Sequence, residues 1–233
     1  MSNAFITRSC VIRGGKVLAN GRLLHEMAAD TPKAFLEGVY AAEGISYPKF
    51  YKMDTLSQLG FLATEVLLGG SPLFGGPAAG GSPPGSGAPA PARGLPGVGG
   101  AAFAGAYGPE DVGLVLCNAN ASLDTDRRYF KTVSDMPSPA LFVYTLPNIV
   151  IGEICIRHGF KGENAFFVFK EFDTTFIQQY VDGLLDEGAI QACICGWVDV
   201  LGATYDAALA LVEKTGEQSF TADNLNKMYT WTS

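Results

Sequence analysis

One stretch of forty residues does most to limit what this chain can fold into. Between Gly69 and Gly108 lie 14 of the 29 glycines and 7 of the 13 prolines, and Arg93 is the only charged residue there. Proline interrupts backbone donors throughout, and no periodic apolar residues are available to bury, so the stretch can form neither a helix nor a central strand. Its composition predicts a flexible, partly polyproline-like loop that docks only locally, through Leu73, Phe74, Phe103 and Tyr107. Closing such a loop costs only about 0.6 kcal/mol per doubling of its length. The flanking parts, 1–68 and 109–233, are therefore expected to build one domain around a disordered 69–108 insertion.

Patterns in those flanks predict a layered α/β fold. Phe5 to Arg13 reads as a strand, and Lys16 to Leu24 as a hairpin arm turning at Asn20-Gly21. From Thr55 to Leu68, Leu56, Leu59, Leu62, Val66 and Leu67 recur at helical spacing behind Asp54 as N-cap. After the loop, short apolar runs alternate with helices, as expected of helices layered on a sheet. Val112–Ala119 is a buried strand. A helix starts at Ser122, with Tyr129, Phe130 and Val133 on its apolar face, and ends before Pro137. Pro147 is expected to open a helix to His158, capped by Thr145, stopped by Gly159 and apolar nearly all round. Ala165–Phe169 reads as a strand, Thr174–Glu187 as a helix behind the Asp173 cap, and Ile190–Val198 as a buried strand. Ala207–Val212 is too short for periodicity to choose between strand and helix, and Phe220–Trp231 reads as a helix capped by Thr221.

The 233 residues, 48% of them hydrophobic, suffice for one sizeable core. A net charge of −7 leaves no basic field for a phosphate backbone, so neither nucleic acid nor an anionic membrane is an expected partner. Docking an acidic protein against this overall sign would require a local basic patch. The five cysteines, Cys10, Cys117, Cys155, Cys193 and Cys195, form no framework and mostly lie in apolar runs, which suits buried free thiols in a reducing cytoplasm. Cys193 and Cys195 share a strand face, but no second pair or nearby histidine completes a metal site, and no metal or cofactor is expected. No signal-peptide pattern and no membrane-length apolar run is evident, so a cytoplasmic location is expected.

From Ser138 to Asp199 a set of words comes in a particular order: SPALFVYTLPNIVIGEICIRHGFKGEN, a short strand, a helix ending in Asp186-Glu187-Gly188, then ACICGW. This order resembles the β-ketoacyl-acyl-carrier-protein synthases, with their Ser-Pro, Leu-Pro-Asn and Gly-x-x-Gly-x-Asn words. The resemblance implies a thiolase-like half-domain of α-β-α layers. In that family a cysteine sits at the elbow between a strand and the next helix, where backbone N–H groups favour its thiolate. Ungapped matching on Gly162-Glu163-Asn164 and Asp186-Glu187-Gly188 puts Glu171 in that place, within a residue or two, and no cysteine lies between Cys155 and Cys193. The family's two catalytic histidines belong to a C-terminal half with no counterpart here. His25 and His158 match neither, and His158, at a helix C-terminus, reads as structural.

The resemblance therefore implies no catalytic residue, an elbow formed by Glu171, Phe172 and Asp173 as a binding feature, and Ala165, Phe166, Phe167, Val168 and Phe169 as a subunit interface. Glu171 has two readings: a carboxylate complementing the following helix dipole, or the occupant of a recognition pocket without turnover. The role implied is a non-catalytic partner in type II fatty-acid, polyketide or aryl-polyene-type chain synthesis, like the chain-length factors. It would pair with a full-length ketosynthase, an acyl carrier protein or a second copy. Half of a split 3-oxoacyl-acyl-carrier-protein synthase and a separate carrier-binding module are the alternatives.

Overall fold

The computed structural model describes residues 3–69 and 107–231. The expected loop conformation and its docking residues Leu73, Phe74 and Phe103 lie outside the described residues. Among the described residues, eight strands form one sheet: β1 (Phe5–Arg13), β2 (Lys16–Ala19), β3 (Arg22–Glu26), β4 (Val112–Asn118), β5 (Asn164–Val168), β6 (Ala192–Leu201), β7 (Thr204–Glu213) and β8 (Gln218–Ser219). The order is β3-β2-β1-β7-β6-β4-β5, with the two-residue β8 pairing β1 beside the main path. β4 runs parallel to both β5 and β6, whereas β7 is antiparallel to both β1 and β6. The β1–β7 ladder joins the chain before the glycine-rich stretch to the chain after it.

Helices cover both faces. On one lie α1 (Pro32–Ala42), α2 (Thr55–Leu68) and α5 (Ile149–His158); on the other, α6 (Thr174–Asp186) and α7 (Ala222–Tyr229). The remaining helices are α3 (Leu123–Val133) and the single turn α4 (Pro139–Phe142). Burial on both faces explains why β4 and β6 read as continuous apolar runs. It also settles the ambiguous segment: Ala207–Val212 belongs to β7, whose Ala207 faces the α2 side and whose Ala208 and Ala210 face the other.

Local chemistry sets most element ends. Asp54 accepts from Ser57 N at 2.9 Å to cap α2, Asp173 caps α6 and Thr221 caps α7. Gly69 and Gly159 end α2 and α5 with φ of 82° and 76°. In β6, Gly196 adopts φ 147°, and a Cβ there would lie 2.0 Å from the Ala208 carbonyl oxygen, so only glycine fits.

Three features differ from the sequence reading. α1 is absent from that reading, although Thr31 caps it, Pro32 opens it, and Phe35, Leu36, Val39 and Tyr40 form its buried stripe. α5 begins at Ile149 behind Asn148, because Thr145 closes the preceding turn by donating from Oγ1 to Phe142 O at 2.7 Å instead of capping. α5 is also not buried on every side, contrary to what its apolar surface predicts: Ile156 is 50% exposed. β5 runs one residue earlier than the expected Ala165–Phe169.

The junction of α2 with α5 is unusually close and unusually polar. A Cβ on Gly60 would sit 2.3 Å from Val150 Cγ2, so glycine permits the approach. Above it, Glu65 Oε1 and Oε2 accept from Arg157 Nε and Nη2 at 2.8 and 3.1 Å, a bidentate pair with both side chains buried. His158 Nε2 lies 3.0 Å from Glu65 Oε1 but off the line of a good hydrogen bond, and its ring stacks on Phe160. The Arg157 guanidinium lies 5.2 Å from the Tyr47 ring centroid. Burial alone would raise the Glu65 pKa, yet His158 and Arg157 outweigh it and hold the carboxyl below its ordinary value.

Glu65→Gln strands a buried guanidinium, and is expected to lower unfolding stability by about 3 kcal/mol at pH 7. A carboxyl with a depressed pKa stabilises the fold above its unfolded value of about 4.3, and that contribution disappears as pH falls through the folded value. Denaturant titrations at pH 7 and below about pH 4 should therefore show the gap between wild type and variant narrowing in acid.

Candidate functional site

In open α/β sheets, ligands and partners gather at the carboxyl ends of the parallel strands. Here the ends of β4 and β5 present two loops, and a carboxylate near the end of β6 supports one of them. After β4, the fully buried Asn118 closes a tight turn: its Oδ1 accepts from Ala121 N and its Nδ2 donates to Ala121 O, both at 2.9 Å. Ala121 takes φ 47°, a left-handed conformation that a non-glycine residue adopts only when its surroundings hold it. Asp199 of β6 supplies that hold. It accepts from Ala119 N at 3.2 Å, Asn120 N at 3.0 Å and Asn120 Nδ2 at 2.7 Å.

After β5 comes the elbow. Phe169 N donates to Asn118 O at 2.9 Å, which ties it to the end of β4. Phe172 turns inward against Tyr229 of α7 and Trp197 of β6, with ring centroids at 5.1 and 5.8 Å. Asp173 accepts from Phe176 N at 2.9 Å and caps α6. Glu171 is exposed and makes no hydrogen bond or ion pair with the described residues. The three elbow residues are thus adjacent but divided in work: Phe172 anchors, Asp173 caps and Glu171 faces outward.

Tyr229 is itself held. Its Oη donates to Asp206 Oδ2 at 3.0 Å, and Arg13 both pairs with Asp206 at 3.0 Å and lies 4.7 Å over the Tyr229 ring. Burial raises the Asp206 pKa, opposed by Arg13 and Tyr229. Asp199 and Asp206 are cross-strand partners on β6 and β7, so the two supports of the loops adjoin.

The thiols lie elsewhere or are inert. Cys117 lies at the end of β4 but is fully buried; burial pushes its pKa up, and the neighbouring Cys195 and Asp173 add to the push. Burial likewise raises Cys10 and Cys193, and raises the half-buried Cys155 to about 11. Reactive cysteines need the opposite shift. Both histidines sit away from the elbow: His25 meets Glu43 of the α1 end, and His158 meets Glu65. Among the described residues no group of His, Cys, Asp and Glu could hold a metal ion, and no helix is long and apolar enough to cross a membrane.

The expected interface strand has one neighbour, β4, and forms an edge of the sheet. Phe166 packs into one core and Phe167 into the other, while Val168 is 53% exposed. Beside it, Phe167, Phe169, Phe176 and Tyr180 form a contiguous aromatic cluster.

No family model and no curated protein sequence matches the chain. Solved structures do. An ishigamide ketosynthase/chain length factor aligns with 92% of this chain and 63% of its own, at 15% identity and a TM-score of 0.57. A type II polyketide synthase acyl-carrier protein in complex with its hexaketide-bound ketosynthase aligns over 90% and 62%, at 13% identity and a TM-score of 0.53. A ketosynthase in complex with its chain length factor from Xenorhabdus doucetiae aligns over 98% and 90%, at 11% identity and a TM-score of 0.52. This chain has the ketosynthase and chain-length-factor fold. It spans about three fifths of the length of the first two matched chains. Trp197 and Tyr229 pack on Phe172 in the turn after β5, and Asp199 holds the neighbouring β4 loop; the ordered words reveal neither contact. A lone carboxylate inside the apolar strand ACICGWVDV was the available signal, since a buried charge requires donors.

Asp199→Ala removes an acceptor from three donors. It is expected to cost about 2 kcal/mol and to speed amide exchange at Ala119–Ser122 far more than in β7, as hydrogen-exchange mass spectrometry would read.

Proposed function

We propose that the chain is a ketosynthase-fold partner subunit without turnover of its own, which pairs through the β5 edge with an active ketosynthase in acyl-chain synthesis on a carrier protein. The observation that carries this reading is the elbow itself. Where the sequence resemblance puts a ketosynthase's thiolate, this chain carries the exposed carboxylate Glu171, and Cys117, at the end of β4, is buried with a raised pKa. An ionised carboxylate is a weak nucleophile and a poor general acid, and neither histidine is within the elbow to activate it. The matched structures include complexes of a ketosynthase with a chain length factor and with an acyl-carrier protein, which supports a partner of this kind.

β5 suits pairing because its edge is open and its neighbours are aromatic. In the synthases this chain resembles, the strand before the elbow forms the dimer interface. A second ketosynthase-fold subunit adding its own strand would extend the sheet and cover Val168.

Incubation with an acyl-thioester-loaded carrier protein is expected to leave the intact mass unchanged. A stoichiometric acyl adduct that disappears in Glu171→Ala would overturn the non-catalytic reading. Co-expression with ketosynthases encoded beside it is expected to yield a stable heterodimer by light scattering. Val168→Asp, which buries a charge at the joined edges, is expected to weaken that pairing by at least about tenfold.

A further inference from the structure

β7 covers one side of β1 from end to end, but the other side is covered in two pieces. β2 pairs with β1 only from Cys10 to Arg13, and β8 only at Phe5 and Ile6. Thr7, Arg8 and Ser9 therefore have no strand beside them on that side. Asn20 closes one end of the gap, donating from N to Ser9 O at 2.9 Å and accepting from Ser9 N through Oδ1 at 2.8 Å. The result is a notch in the sheet, a cavity of about 380 Å³ lined by Thr7, Arg8, Asn20, Glu217, Gln218 and Trp231, among others. That size suits a small molecule.

We infer that this notch binds a small aromatic monocarboxylate, held by Arg8 and lying against Trp231. A guanidinium offers five donors, yet Arg8 Nη1 is buried with no hydrogen-bond partner among the described residues. Glu213, whose charge acts on Arg8, is committed elsewhere: Oε1 accepts from Tyr107 Oη at 2.9 Å, and Oε2 accepts from Thr7 Oγ1. Burial lowers the Arg8 pKa and Glu213 opposes the shift, so the group remains a partly buried cation. The backbone is shaped around it. The register of β1 against β7 shifts between Ile6 and Arg8, which makes Thr7 the extra residue of a bulge. Bulges re-aim side chains and recur beside binding sites. On the facing wall, a Cβ on Gly216 would lie 2.6 Å from Phe5 Cβ, so glycine lets the turn before β8 close on β1.

Charge and shape select the ligand. Glu217 in the wall and Glu213 close to Arg8 oppose a second negative charge, which disfavours a phosphate dianion. A carboxylate matches the guanidinium fork with a single charge. The indole of Trp231 lies on the β2–β3 turn, where a Cβ on Gly21 would be 3.3 Å from Trp231 Cη2. It is only partly buried, and its remaining apolar surface fits a flat body. The notch is separate from the elbow. Arg8 pairs with Leu211, whereas Arg13, which braces Tyr229, lies opposite Asp206, about 16 Å further along the strand. The β5 edge is at the other end of the sheet order, so the inference does not depend on subunit pairing.

Isothermal titration of the full chain tests it with three probes. Phenylacetate is expected to bind saturably. Phenylacetamide, which keeps the ring and loses the charge, and inorganic phosphate, which keeps charge and loses the ring, are each expected to bind at least about tenfold more weakly. Arg8→Gln is expected to weaken phenylacetate at least about tenfold, Arg8→Lys less so because it keeps the charge without the fork, and Trp231→Ala several-fold. Unfolding midpoints identify the variants that remain folded, and Arg8→Lys with Trp231→Ala carries the test if Arg8→Gln does not fold. Absence of saturable phenylacetate binding, equal binding of the amide or of phosphate, or unchanged affinity in the folded variants would overturn the inference.

Discussion

The contact on which the rest of the molecule depends is the buried meeting of Glu65 with Arg157 and His158 between α2 and α5. A buried ion pair returns little net stability, because desolvation offsets most of its attraction. What it does here is define position. The bidentate geometry tolerates one rotation of α5 against α2, and Gly60 admits one depth of approach to Val150. Glu153 adds a second constraint from the same helix, accepting from Tyr144 Oη at 3.0 Å and pairing with Lys49 at 2.7 Å. α5 leads through Gly159 directly into β5, whose end carries the elbow. The placement of Glu171, Phe172 and Asp173 is thereby set by a polar lock on the opposite face of the sheet.

Elements whose causes are local were legible in the sequence. Asp54, Asp173 and Thr221 cap the helices they were expected to cap, and Asn20-Gly21 turns the β2–β3 hairpin. Local readings failed where another part of the chain competes for the same group. Thr145 had the right residue type for a cap, but its hydroxyl is taken by Phe142 O. Tyr129, Phe130 and Val133 had helical spacing, yet spacing says only that the residues share a face. In the structure that face is divided, with Tyr129 packed on Phe142 and Phe130 and Val133 exposed, and the helix is tied by Thr125 to Asp54, 71 positions away in sequence. β7 was undecidable alone because a strand paired on both sides and covered on both faces has no alternation to read.

The turn after β5 was legible only in part. Its Asp173 cap is a property of contiguous sequence. Its support, and that of the neighbouring β4 loop, is not contiguous. Trp197 and Tyr229 pack on Phe172 while Asp199 holds the β4 loop, through ring contacts and hydrogen bonds that leave no periodic trace. Ala121 makes the point sharply, since a left-handed alanine is invisible in sequence; in the structure Asn118 bonds its N–H and carbonyl while Asp199 holds the two residues before it.

The two edges of the sheet argue that the openness of one is a property and not an accident of being an edge. Free strand edges invite pairing, and proteins blunt them with charge, brevity or bulges. β3, at one end, carries Arg22, His25 and Glu26 in five residues, and its register with β2 shifts between Val17 and Leu18. β5, at the other, reads Asn-Ala-Phe-Phe-Val, without a charge, and its five pairings with β4 run in unbroken register. A monomer under pressure to stay alone would be expected to protect both. Protection of β3 and not β5 is the asymmetry that the proposed pairing through β5 would use, and such pairing would put the turn that follows β5 beside the partner.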